Sequence, residues 1–178
     1  WAKDMLSQVK TQVNYRLSRE LLEELSGKEE SSELLAVVKM RAGGLSALPQ
    51  RENPLFVLFD RPSNRGNLGT LLRSCDGLGA DGLILTGHGV DLYDSEVVTA
   101  SMGSFFRIPA VQAENREVAE FLEQLREKYP GFLTVGTTAH RERPLFTQSL
   151  SGPVMLFLGN ETEGLSYAFK QSCDVLCT

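Results

Sequence analysis

The sequence predicts an α/β domain built on a largely parallel sheet and preceded by a helical N-terminal segment. Two observations carry this reading. Beyond residue 53, short apolar runs of strand length alternate with stretches of helical spacing, the pattern of a layered parallel sheet. Before it, the chain is charged, and its apolar residues recur at helical spacing.

In chain order, Val9, Val13, Leu17, Leu21, Leu22 and Leu25 predict a helix that Gly27 closes, and Ser32 to Met40 predicts a second. Gly43, Gly44 and Pro49 interrupt the pattern, and Gln50 to Pro54 reads as a linker. The expected division is therefore a helical segment with its linker at 1–52 and an α/β domain at 53–178. Buried strands are predicted at Leu55 to Phe59, Gly82 to Leu85, Phe132 to Val135 and Val154 to Leu158. Helices are predicted around Leu68 to Leu78, Ser95 to Met102 and Glu117 to Lys128.

Composition narrows the function. With 42% hydrophobic and 23% charged residues the chain reads as soluble and globular, and no apolar run approaches the roughly 20 residues of a membrane span. No secretion signal follows Trp1. Three cysteines, Cys75, Cys173 and Cys177, form no CxxC pair, and with two histidines a zinc site is hard to assemble, so no metal is expected. Core or free thiols in a reducing, cytoplasmic setting fit best. A net charge of −5 argues against generic phosphate-backbone binding, so any nucleic-acid surface must be local.

Two turns carry candidate chemistry. The first, Asp60 to Arg73, follows the first strand: two Gly and two Asn in the six residues 64–69 suit a turn that a ligand approaches closely, with Asn67 as a candidate helix cap. Leu68, Leu71, Leu72, Cys75 and Leu78 mark the buried stripe of the following helix, which leaves Arg73 on the face shared with Thr70. For this segment alone, a ligand-facing Arg73 and a solvated helix charge with plain turn glycines both stay open. The dinucleotide fingerprint G-x-G-x-x-G is absent, since Gly66 and Gly69 give only G-x-x-G. The second turn, Gly159 to Ser166, follows the strand ending at Leu158. Its Glu161 and Glu163 suit either a ligand-orienting carboxylate or a charge that favours the helix N-terminus.

Together the two turns resemble the first and second motifs of the SpoU (TrmH-type) group of the SPOUT methyltransferases, knotted α/β enzymes that methylate ribose 2′-hydroxyls of transfer and ribosomal RNA. The first match is an Asn six residues before an Arg with a glycine between, and the second is G-x-E-x-x-G-L-S at residues 159–166. Ser101, Met102 and Gly103, then Ile108 and Pro109, resemble the Ser-x-Gly segment that precedes a strand. The resemblance covers Leu55 to Thr178. It implies S-adenosylmethionine (SAM) as methyl donor, RNA as substrate, and a homodimer. It implies Arg73 as catalytic arginine, Asn67 as its partner and Glu161 as the second-motif glutamate. It also implies SAM contacts from Leu158 and Gly159, and from Gly136, Thr137 and Thr138 after the third long strand.

The family's third motif, with an Ile-Pro-Met start and a Ser-Leu-Asn core, is expected to begin near Val175 to Thr178, where the chain stops, so the knot is expected to be incomplete, SAM binding weak, and methyl transfer by this chain alone slight or absent. Arg61, Arg65, Arg107, Arg141 and Arg143 are candidates for the local basic surface. In the N-terminal segment Lys3, Lys10, Arg16 and Arg19 alternate with Glu20, Glu23 and Glu24, which suits a solvated helix face. Two rival classes stay open: an RNA-binding or dimerisation module without catalysis, and a nucleotide-dependent oxidoreductase on a doubly wound sheet.

Overall fold

A computed structural model of the protein describes residues 2–27, 33–40, 43–140 and 143–178. The chain forms two compact units, residues 1–41 and 42–178.

In the first unit, α1 spans Ala2–Gln8 and α2 spans Arg19–Ser26. The start of α2 is set by Ser18, whose hydroxyl accepts from Leu21 N, and its end by Gly27 in the left-handed region at φ 61°. The predicted continuous helix is broken, because residues 9–18 are not helical. Thr11, Val13, Asn14 and Tyr15 are poor helix formers, and the Ser18 cap starts a fresh helix instead of continuing an old one. The predicted second helix is also not formed over residues 33–40, where Val37 and Val38 stand exposed; Ser32 lies outside the described residues.

The second unit is a six-stranded sheet in the order β3-β2-β1-β5-β4-β6, parallel at every pairing. Its elements are β1 (Leu55–Asp60), α3 (Arg65–Leu78), β2 (Gly82–Thr86), α4 (Ser95–Ala100), β3 (Ala110–Gln112), α5 (Asn115–Lys128), β4 (Leu133–Thr137), β5 (Val154–Leu158), α6 (Tyr167–Ser172) and β6 (Val175–Cys177). The four predicted strands are present. Strand β3 follows Pro109, where the Ser-x-Gly resemblance puts one, and the terminal run Val175–Cys177 forms the edge strand β6 on β4.

These strands read as unbroken apolar runs because both faces are covered. Phe56, Leu58, Ile84, Met155 and Phe157 pack with Phe121, Leu125 and Phe169 on one face. Val57, Phe59, Leu83 and Leu85 pack with Leu68, Leu72 and Val97 on the other. The buried stripe of α3 is Leu68, Gly69, Leu72 and Cys75, rotated from the predicted one. Leu78 is exposed, while Gly69 lies against α4, where an added Cβ would come 2.9 Å from the Ala100 carbonyl carbon. The segment before β1 joins this unit: Leu48 is buried in the same core as Phe56, and Arg51 pairs with Asp81 at 2.9 Å. Among the described residues no helix is long and apolar enough to cross a membrane.

The chain builds outward from β1 through β2 to β3, then crosses to the other side of β1 for β4 and β5. Between β1 and β5 the direction of winding reverses. Such a switch point leaves a crevice outside the carboxyl ends of the two strands, the usual ligand position in open parallel sheets.

Candidate active site

Both glycine turns leave the sheet at that crevice. After β1, Asn64 caps α3 by accepting from Asn67 N at 2.9 Å, so the helix starts earlier than predicted and Asn67 is not its cap. This frees the Asn67 amide, which donates to Glu161 Oε1 at 3.0 Å. Ser63 Oγ donates to the other carboxylate oxygen of Glu161 at 2.7 Å. Ser63 was not legible as a site residue, since a serine in a turn has no pattern of its own; only its place opposite Glu161 marks it.

After β5 the chain turns back on itself. Asn160 and Gly164 exchange backbone hydrogen bonds of 3.2 and 2.9 Å, and Asn160 Oδ1 accepts from Thr162 N and Glu163 N. Gly159 makes this reversal sterically possible, because a Cβ there would collide with the Leu165 amide nitrogen and the Gly164 carbonyl carbon. The loop closes on buried Asp60, whose carboxylate accepts from Ser166 N at 2.7 Å and from Thr86 Oγ1 at 2.8 Å.

An open groove of about 360 Å³ runs between α3 and the ends of β1, β4 and β5. Asn67, Thr70, Ser74 and Thr137 supply its polar rim, and Phe59, Leu71, Leu158 and Gly159 the rest of its lining. Of the remaining residues expected to contact a cofactor, Thr138 donates its amide to Cys177 O at 2.8 Å. Gly136 is buried against the opposite side, where a Cβ would meet Cys173 Sγ at 2.6 Å. Arg73 does not line the groove. It is exposed on α3 one turn beyond Thr70, and its side chain has no hydrogen bond or ion pair among the described residues. Ser101 is buried and bonds Val98 O at 2.7 Å at the end of α4, where Gly69 of α3 packs so closely that a Cβ would come 2.9 Å from Ser101 N.

The expected basic surface is largely neutralised. Arg61 pairs with Glu163 and Asp60, Arg65 with Asp94, and Arg107 with Asp76. Exposed Arg143 carries no ion pair among the described residues, and Arg141 lies outside them. The three cysteines are free, and burial pushes Cys75 up to about 11 and Cys173 to about 12, so neither is poised as a thiolate.

Burial pushes the Glu161 carboxyl up, but the hydrogen bonds from Ser63, Asn67 and backbone amides outweigh it and hold its pKa below the ordinary 4.5. The carboxylate is thus an acceptor already in use, not a proton carrier. A depressed folded-state pKa means that the interaction is fully present above the unfolded value and is lost as pH falls through the folded one. We expect an NMR titration of Glu161 to give a midpoint below 4.5 that rises in Ser63→Ala. A midpoint at or above that value in the parent protein would contradict the hydrogen-bonded site.

The sequence profile of the SpoU rRNA Methylase family matches residues 54–178. A 23S rRNA (uridine(2479)-2′-O)-methyltransferase of Streptomyces viridochromogenes is 42% identical over 176 residues, covering 98% of this chain and 61% of the relative. The chain therefore spans about three fifths of the length of that relative. The crystal structure of the SpoU methyltransferase AviRb from the same organism, in complex with AdoMet, superposes with a TM-score of 0.92 at 40% identity, covering 100% of this chain and 68% of that one. An AdoMet-bound rRNA methyltransferase from Sinorhizobium meliloti has a TM-score of 0.80 at 27% identity, covering 90% and 60%.

Proposed function

Because the chain belongs to the SpoU rRNA Methylase family, we propose that it is the catalytic part of a SAM-dependent enzyme that methylates a ribose 2′-hydroxyl of ribosomal or transfer RNA. The observation that carries this is the contact between the two motif turns, Asn67 and Ser63 on Glu161, at the switch point of the sheet. In this reading residues 53–178 are the catalytic domain, residues 1–52 are appended to it, and the protein works as a cytoplasmic homodimer.

The groove suits the methyl donor. Its apolar lining matches an adenine ring and the methylenes that flank the sulfonium, and the rim of Asn67, Thr70, Ser74 and Thr137 offers hydroxyl and amide partners to ribose and amino-acid groups. Thr137, Leu158 and Gly159 line the groove and would hold it, with Gly136 and Thr138 flanking Thr137 at the end of β4. Gly136 and Gly159 would act through backbone, their Cβ directions being filled by the protein itself. When bound, SAM supplies an electrophilic methyl group.

The chain's own task is to orient the 2′-oxygen and ease departure of its proton. A guanidinium stays protonated at neutral pH and is a poor base. Arg73 therefore binds the phosphate next to the reacting ribose and stabilises developing alkoxide charge, and the proton passes to phosphate or water. Glu161 and Asn67 fix the first turn of α3, the helix that carries Arg73. The test is methyl transfer from labelled SAM to ribosomal RNA by the full-length enzyme that contains these residues, with the product digested to nucleosides. A 2′-O-methylated nucleoside is expected; label confined to bases, or none despite SAM binding by calorimetry, would overturn the reading.

A further inference from the structure

Arg61 is the one arginine of the first turn with backbone in the left-handed region, at φ 52°. An L-residue there is sparsely populated and persists only when its surroundings fix it. Beside the bond from its own amide to Thr86 O at 3.1 Å, four contacts do so. Its guanidinium reaches Glu163 Oε2 at 2.5 Å, Gly164 O at 3.1 Å and Asp60 Oδ2 at 3.4 Å, and its carbonyl accepts from Asn160 Nδ2 at 2.8 Å. The side chain also occupies space that Gly87 leaves open, since a Cβ at Gly87 would come 2.9 Å from Arg61 Cγ. All of these partners except Asp60, Thr86 and Gly87 lie on the turn that carries Glu161.

We propose that Arg61 is a positioning residue for methyl transfer: it clamps the Asn160–Gly164 turn to the end of β1 and so sets where the Glu161 carboxylate meets Ser63 and Asn67. Glu161 stands at the tip of this turn, between Asn160 and Glu163, and both of those bond Arg61. Asp60 anchors the other end of the loop through Ser166 N and orients the Arg61 Nε from within the core. In Arg61→Ala the Asn160 amide keeps its bond to the backbone carbonyl of residue 61 and Asp60 keeps Ser166 N, but the ties at Glu163 and Gly164 are lost, and the Glu161 tip then rests more heavily on its own hydrogen bonds. The arginine spends its charge on the loop, so it is not free to bind RNA phosphate.

This inference rests on the methyltransferase reading, and the experiment separates the two. Arg61→Ala, Arg61→Lys and Glu163→Gln are compared with the parent protein in methyl transfer at saturating SAM and RNA, in KM for RNA, and in the NMR titration midpoint of Glu161. Arg61→Ala is expected to lower turnover by about tenfold with KM for RNA within about twofold, as removal of a charge-assisted positioning contact would. Its Glu161 midpoint should rise toward 4.5. Arg61→Lys should recover part of both effects, and Glu163→Gln, a change at an exposed residue, should reproduce them more weakly without loss of folding. Unchanged turnover and midpoint in Arg61→Ala and Glu163→Gln would overturn the clamp. So would a rise in KM with turnover intact, which would make Arg61 an RNA contact. If the parent protein methylates no RNA, the functional reading fails, and the Glu161 midpoint alone then decides the clamp.

Discussion

Arg73→Ala is expected to lower methyl transfer by about 10- to 100-fold while SAM affinity and thermal stability stay close to those of the parent protein. The asymmetry follows from where Arg73 sits. It is exposed, outside the lining of the groove and without a partner among the described residues, so the fold loses little when it is removed. Yet it is a helical neighbour of Thr70, which does line the groove, and Cα–Cβ bonds of a helix tilt toward its N-terminus. The bond therefore leans back toward Asn67 and the crevice. Losing one charge-assisted contact to a phosphate or developing alkoxide costs about 1.5 to 3 kcal/mol, which sets the range. Single-turnover rates with a matched RNA, beside calorimetric SAM titrations, make the comparison. A loss of SAM binding as large as the loss of rate would place Arg73 in the cofactor site instead, and equal rates would remove it from the mechanism.

Gly159→Ala should have the largest effect on the fold near the site, lowering stability by about 3 kcal/mol or more, which for a protein of this size is roughly 6 to 12 °C in Tm. The backbone φ of Gly159 is not in the left-handed region, so the cost is one of space. A Cβ would overlap the Leu165 nitrogen and Gly164 carbonyl carbon and lie 2.7 Å from the Gly164 Cα. These are backbone atoms of a loop pinned by Asp60 on Ser166 N and by Arg61 on Gly164 O, so they have nowhere cheap to go. Relief means breaking the Asn160–Gly164 pair and withdrawing Glu161 from Asn67, so SAM binding and methyl transfer should fall along with stability. Gly136→Ala is the control. Its added methyl would press on Cys173 Sγ, Leu176 Cδ2 and Leu165 Cδ1, ends of side chains that have some freedom to shift, and a smaller loss is expected. Thermal unfolding of the two variants compares them directly; equal losses would show the loop to be less constrained than its hydrogen bonds indicate.

The amino-acid sequence by itself determined the sheet and the two turns. Strands buried on both faces must be unbroken apolar runs, so β1, β2, β4 and β5 are visible as Leu55 to Phe59, Gly82 to Leu85, Phe132 to Val135 and Val154 to Leu158 before any fold is known, each within two residues of its observed bounds. Gly27 likewise marks a helix end because a left-handed cap tolerates few other residues. Residues whose role depends on a partner far along the chain were decided only by tertiary structure. Asn64, not Asn67, caps α3, and Asn67 is thereby left for Glu161, 94 residues away. Ser63 becomes a site residue for the same reason. Of the arginines that look like an RNA surface in sequence, Arg61, Arg65 and Arg107 are matched in space by carboxylates at 60, 76, 94 and 163. Local periodicity could not foresee the broken N-terminal helix either, since apolar spacing records which face a helix would bury and not whether its residues favour the helix. Periodicity and turn chemistry are short-range properties written in consecutive residues. Which charge is neutralised, and which amide remains free, depends on pairings that exist only after β1 and β5 lie side by side.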